Sequence, residues 1–109
     1  MVNRTYRPLP DFLTIKKSDI DGLGLFATEN IRIGKTLGVS HYVNNRDKHA
    51  GIIRTPLGGF INHSETPNLM KIIKSNEDFI EIKVKTLRKI VAGEELTLKY
   101  DWYDPQKKI

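Results

Sequence analysis

The sequence contains no cysteine. Disulfides, thiolate metal sites and cysteine nucleophiles are therefore excluded. No apolar run approaches the roughly 18 residues that a membrane-spanning helix needs. The opening Met1-Val2-Asn3-Arg4-Thr5 leads into no hydrophobic core of a signal peptide, which argues for an intracellular protein. Close histidine pairs are missing too. His41, His49 and His63 stand 8 and 14 residues apart, with no HxH or HxxxH, so no metal site is expected. No window carries a long apolar period of 3.6 residues, and Asp47 to Arg54 holds a turn of helix at most. Repeats and low-complexity stretches are also lacking.

What is present is ordinary in amount and uneven in placement. The 109 residues, 39% hydrophobic and 28% charged, fit one folded domain with one modest core. Residues 1–11, with Pro8 and Pro10, read as an extended arm, and residues 12–109 as the domain. Eighteen basic against thirteen acidic residues leave a net charge of +5, which favours polyanions at long range. Between Lys71 and Lys89 six basic residues face three acidic ones, and a solvated basic strand face explains that run better than nucleic-acid contact, since no aromatic but Phe79 interleaves it.

Alternation dominates the pattern. In Ile80-Glu81-Ile82-Lys83-Val84-Lys85 apolar and charged residues alternate, the period of a half-buried strand. Met70-Lys71-Ile72 precedes it across the polar turn Ser75–Asp78, so a β-hairpin is expected. Phe12–Ile15 and Thr36–Val39 are further strand candidates, and Leu25-Phe26-Ala27 is a short apolar run between turns. In Leu96-Thr97-Leu98-Lys99-Tyr100 the leucines and Tyr100 share one face, which turns the phenol inward. The class is mainly β, several short strands with glycine-rich corners.

Three segments carry candidate chemistry. Gly22-Leu23-Gly24 is a tight turn that permits close backbone approach to a ligand. It lacks the third glycine and the helix of a dinucleotide fingerprint. Phe60-Ile61-Asn62-His63-Ser64-Glu65-Thr66-Pro67-Asn68 places donors and acceptors where a strand enters a loop. Asn and Ser also bend and cap backbone without any function. Gly93-Glu94-Glu95-Leu96-Thr97-Leu98-Lys99-Tyr100 leads into Asp101-Trp102-Tyr103, an aromatic cluster beside acids.

Taken in this order, the three segments resemble the SET domain family of protein lysine methyltransferases, over Asp19 to Tyr103. The resemblance implies a fold of several short β-sheets with a C-terminal pseudoknot. It implies that the Asp21-Gly22-Leu23 turn and the Asn62-His63 pair hold S-adenosylmethionine, and that Tyr100 is the catalytic tyrosine, also contacting the cofactor. His41 or Tyr42 falls near a family position for a second lysine-channel residue. Trp102 and Tyr103 fall where the family sets aromatics against channel or adenine. Leu98 stands where the family uses Phe or Tyr to set the number of methyl groups added. The chain departs from the family in lacking cysteine-rich flanks, in having Gly59 where arginine is frequent, and in a short segment after Asp101.

The activity implied is methyl transfer from S-adenosylmethionine to a lysine ε-amine of a basic protein, histone-like or otherwise bound to nucleic acid. Asp101, Asp104 and Glu94 are the acids that would attract such a substrate. The location implied is the cytoplasm, or the nucleus for a eukaryotic or viral source. Homodimerisation would complete the shortened channel, nucleic acid is a further partner to test, and no membrane is involved. Two other readings fit the same residues: a non-catalytic SET-like module that binds cofactor or peptide, and a small basic nucleic-acid-associated domain.

Overall fold

Alternation along residues 80–85 builds the strand around which half of the molecule is arranged. The computed structural model describes residues 9–44 and 51–100. Its strands are β1 (Leu13–Lys17), β2 (Leu23–Ala27), β3 (Thr36–Asn44), β4 (Ile52–Arg54), β5 (Asn62–His63), β6 (Leu69–Ser75), β7 (Phe79–Thr86) and β8 (Glu95–Leu98). A 3-10 turn, Gly58–Phe60, precedes β5. The protein is mainly β, as its sequence pattern requires.

Two four-stranded sheets result, ordered β1-β2-β8-β5 and β4-β3-β7-β6. The second is antiparallel throughout, and its β6–β7 hairpin closes on the expected polar turn, with Ser75 opposite Ile80. Asn76 Oδ1 accepts the backbone N–H groups of Asp78 (2.7 Å) and Phe79 (2.9 Å), an Asx turn that fixes the register. In the first sheet, β8 lies between antiparallel β2 and parallel β5. That parallel pair brings Asn62 opposite Thr97 and His63 opposite Leu98.

Leu25, Leu96, Leu98, Leu69, Val84 and Ile90 are almost wholly buried in one core, with Leu9, Phe12, Ile15 and Tyr100 packed at its margin. Reciprocal bonds between Ile31 and Ile90, both 2.8 Å, tie the two loops beneath it.

Three local expectations change. Ile52–Arg54 is a strand paired with β3, not part of a helical turn, because Ile52 and Ile53 find a partner edge; Asp47–Ala50 lie outside the described residues. β3 runs five residues beyond Val39, since β7 and β4 flank it on both sides. Thr97 is buried along with Leu96 and Leu98, so β8 is covered on both of its faces. The C-terminal crossing expected of the family falls in residues 101–109, outside the described residues. Among those described, no helix is long and apolar enough to cross a membrane.

The turn at Gly58 positions the site by close approach. A Cβ there would lie 2.0 Å from the Ser40 carbonyl oxygen, whereas one at Gly59 would meet nothing within 4 Å. Backbone cannot yield as a side-chain tip can. Gly58→Ala is therefore expected to destabilise the fold by about 2 kcal/mol or more, and Gly59→Ala by no more than about 0.5 kcal/mol. Urea midpoints for the two variants test this; equal midpoints would contradict it.

Candidate functional site

The corner between β1 and β2 is pinned at Ser18. Its N–H donates to the Gly22 carbonyl at 2.8 Å, and its hydroxyl oxygen accepts the N–H groups of Ile20 (2.8 Å) and Asp21 (3.3 Å). Gly22 sits at φ +46°, a conformation that side chains rarely adopt. Gly24 is needed for a different reason. A Cβ there would stand 2.2 Å from Glu95 Oε2.

That carboxylate is the meeting point of the three segments singled out by sequence. Ser18 Oγ donates to it at 2.8 and 2.9 Å, and Asn62 Nδ2 donates to it at 2.8 Å. The same amide reaches Ser18 Oγ (3.1 Å), the Asp21 carbonyl (3.1 Å) and the Leu23 carbonyl (3.3 Å), so its two hydrogens are shared among four acceptors. A second asparagine repeats the device. Buried Asn68 donates to Glu94 Oε2 (3.1 Å) and to the Glu95 carbonyl (2.8 Å), and accepts the Thr97 N–H at 2.8 Å. Burial works against the Glu94 charge, yet bonds from Arg88, the Val91 N–H and Asn68 hold its carboxyl below the ordinary range. Glu94 is thus committed to Arg88 and Asn68 rather than offered to a substrate. Asp101 and Asp104 lie outside the described residues.

Around this clasp opens a cleft of about 500 Å³, lined by Asp21, Gly22, Leu23, Arg54, Gly59, Phe60, Ile61, Asn62, His63 and Tyr100. Its size suits a small-molecule ligand. Tyr100 donates its hydroxyl proton to the Ile61 carbonyl. Burial raises its pKa above the usual tyrosine value, partly offset by Arg54. The phenol is therefore protonated at neutral pH, and its oxygen keeps lone pairs for accepting. His63 accepts the Tyr100 N–H on Nδ1 (2.9 Å), which leaves the proton on Nε2, 3.0 Å from Glu65 Oε2. His63 and Lys99 together hold the exposed Glu65 carboxyl below its ordinary range.

Six of the residues named from sequence thus share one cleft: Asp21, Gly22, Leu23, Asn62, His63 and Tyr100. Tyr42 does not line it. The pleat turns His41 into the core beside Tyr100, with ring centroids 6.2 Å apart, and sends Tyr42 to the other face of β3. Leu98 is a core residue at 1% exposure and is not among the cleft-lining side chains. Trp102, Tyr103 and His49 lie outside the described residues. Arg54 was missed because nothing in Ile52-Ile53-Arg54 marks it; pairing β4 to β3 sets it opposite His41. Ser18 and Glu95 were missed as a pair because they are 77 positions apart. Among the described residues no three His, Asp or Glu side chains group as a metal site.

The family model of the SET domain matches residues 39–101, well over half of the chain, and the chain belongs to the SET domain family. Solved structures agree on the fold. A Plasmodium falciparum protein provisionally assigned as a histone methyltransferase superposes with TM-score 0.67 at 20% identity, over 91% of this chain and 100% of that one. A humanized mutant of the Chaetomium thermophilum Polycomb Repressive Complex 2, bound to an inhibitor, matches with TM-score 0.67 at 26% identity, over 86% of this chain and 15% of that one. The same fungal complex in an autoinhibited conformation, bound to S-adenosylmethionine, matches with TM-score 0.66 at 25% identity, over 86% and 16%. The chain thus spans about a sixth of those fungal chains or less. A comparison with curated proteins finds no sequence match.

His41 gives the site a measurable pH signature. Burial, then the nearby Arg54 charge, lowers its pKa from 6.5 to about 4. Ser40 Oγ donates to the Ile82 carbonyl (3.1 Å), so His41 Nδ1 is the donor in its contact with Ser40 Oγ (2.9 Å). Between those two pH values the unfolded chain takes up a proton that the folded chain refuses. Stability therefore falls as pH drops from 6.5 towards 4, by roughly 3 kcal/mol at the limit. Denaturant unfolding at pH 7 and pH 4.5 should show this loss in the native protein and a smaller one in His41→Gln. Equal losses in both would contradict the assignment.

Proposed function

We propose that the chain is a protein-lysine N-methyltransferase that uses S-adenosylmethionine and acts on a lysine of a basic, histone-like protein. One observation carries this reading: the glycine corner, the Asn62-His63 strand and Tyr100 line a single cleft. Family membership, the histone methyltransferase description of one structural neighbour and the S-adenosylmethionine bound to another support it.

The residues of the cleft fit the methyl donor. Gly22 and Gly59 both line it, and a Cβ on either would meet no protein atom within 4 Å, so the missing side chains leave open space. Arg54 offers a guanidinium for a carboxylate, Asp21 a carboxylate for an ammonium, and Phe60 and His63 offer rings for a purine. The side-chain amide of Asn62 and both ring nitrogens of His63 are engaged within the protein. Their contribution to a ligand is therefore backbone and ring face.

S-adenosylmethionine, when bound, supplies a sulfonium-activated methyl group, so the protein needs no strong nucleophile of its own. Its tasks are alignment, exclusion of water and acceptance of a neutral amine. A free lysine has a pKa of about 10.4 and arrives charged. Arg54 at the cleft and the apolar Ile61 and Leu23 disfavour that charge and shift the lysine towards its neutral form. Tyr100, with its raised pKa, does not serve as a base at neutral pH. The lysine proton leaves to solvent, and the Tyr100 oxygen accepts from the amine or from the polarised methyl hydrogens.

Tyr100→Phe removes one oxygen and keeps the ring in the core margin. Turnover is expected to fall on the order of a hundredfold, with affinity for S-adenosylmethionine nearly unchanged. Transfer of tritium from labelled S-adenosylmethionine to histones and to lysate proteins measures the first, and calorimetry the second. Undiminished labelling by Tyr100→Phe would refute the role. Binding without labelling by the native chain would point to a non-catalytic module.

A further inference from the structure

Alternation on β7 sorts its side chains between two environments. Ile82, Val84 and Thr86 are at most 2% exposed and face the core, so Phe79, Glu81, Lys83 and Lys85 stand on the opposite face. Partners directly across the sheet share that face. Lys74 of β6 and Tyr42 of β3 flank Glu81, Ile72 and Val39 flank Lys83, and Met70 and Thr36 flank Lys85. Lysines from two strands thus outnumber the one acid among them. Glu81 is engaged by Lys83, 3.6 Å away, and also stands opposite Lys74, so the face keeps a positive excess. Lys83 and Lys85 repel one another across two residues of one strand, and an approaching polyanion relieves that repulsion.

Solubility alone would mix these charges with polar side chains. Here the neighbours are aliphatic, and the face ends in rings. In the sequence Phe79 is the only aromatic within the basic run. The fold adds Tyr42 from β3, with ring centroids 5.5 Å apart. Tyr42, Phe79 and Ile53 line a pocket of about 540 Å³, completed by Asn44 and Asp78, both of which have partners within the protein. Phe79 is 38% exposed. From Phe79 to Lys85 the strand runs about 20 Å. A basic track of that length with aromatic side chains at one end has the chemistry that single-stranded nucleic acids require, phosphates on the lysines and a base on a ring. A duplex keeps its base faces inside its own stack and offers the rings nothing.

We propose that this face of the second sheet binds single-stranded nucleic acid, with phosphates along Lys74, Lys83 and Lys85 and a base in the Tyr42–Phe79 pocket. None of these residues lines the cleft. The inference goes beyond the proposed methyl transfer and does not require it. Where that transfer occurs, the chain's net charge of +5 opposes approach to a basic substrate, and a polyanion that holds both brings them together.

Fluorescence anisotropy with labelled 12-nucleotide DNA and RNA single strands of mixed sequence, between 50 and 200 mM salt, tests it. Three phosphate contacts predict a slope of log affinity on log salt of about −2. The double variant Lys74→Gln/Lys85→Gln should bind about tenfold more weakly or worse at low salt, with a slope near −0.7. Lys16→Gln/Lys17→Gln removes the same charge from the first sheet and should change affinity far less. Tyr42→Leu should weaken binding about fivefold with the slope unchanged, and Phe79→Leu serves if Tyr42→Leu loses its fold. NMR of the labelled chain should show saturable shifts at Tyr42, Phe79, Lys83 and Lys85 and not at Asn62 or His63. A preference for RNA over DNA or the reverse leaves the phosphate and ring contacts as the basis of binding and so supports the proposal. Absence of binding overturns it, as do equal losses in the two lysine pairs, tighter binding of a duplex of the same sequence, or shifts confined to the cleft.

Discussion

The Glu95 carboxylate receives Ser18 from the glycine corner on both oxygens and Asn62 from the strand that enters the loop on Oε2. Both donors are partly buried, and a buried acceptor left without them would carry a desolvation penalty of about 1–3 kcal/mol. Chain segments far apart in sequence are held together by this one group. Glu94 and Asn68 repeat the arrangement one residue and one turn away, so the loop from Asn62 to Asn68 is fastened to β8 at both ends. The consecutive acids of Gly93-Glu94-Glu95 face different asparagines because Glu95 opens β8 and Glu94 just precedes it, where neighbouring side chains diverge.

The shape of the cleft follows from that fastening. Gly24 has no side chain because Glu95 occupies the space, and Gly58 has none because the Ser40 backbone does. With these approaches fixed, Ile61 is placed to accept the Tyr100 hydroxyl, and His63 to accept the Tyr100 N–H. Tyr100 is thereby held at side chain and backbone by two neighbouring residues of the loop. Preorganisation of this kind limits the ordering cost of binding.

Much of the architecture could be read from the residues. The hairpin of β6 and β7 followed from alternation and a polar turn, and the three motif segments, in order, pointed to the family. Six of the named residues share the cleft. What escaped the reading depends on pairing across long separations. Nothing local distinguishes Ser18 from other turn serines until Glu95 is beside it. Arg54 gains its place only when β4 pairs with β3. Tyr42 and His41 are neighbours in sequence, and a two-residue period sends them to opposite faces, but the bulges in β3 at Thr36/Gly38 and Val39/His41 hide which one faces inward. Leu98 obeyed its alternation and went to the core.

The central claim is that the corner at Ser18–Leu23, the Asn62-His63 strand and Tyr100 form one receptor for S-adenosylmethionine. Backbone hydrogen exchange with and without that molecule tests it without reliance on turnover. The account predicts slower exchange on binding at Asp21–Leu23, Asn62–Ser64 and Tyr100, with no change at Tyr42 or Phe79. Unaltered exchange at all three segments, or protection confined to the far face of the second sheet, would contradict it.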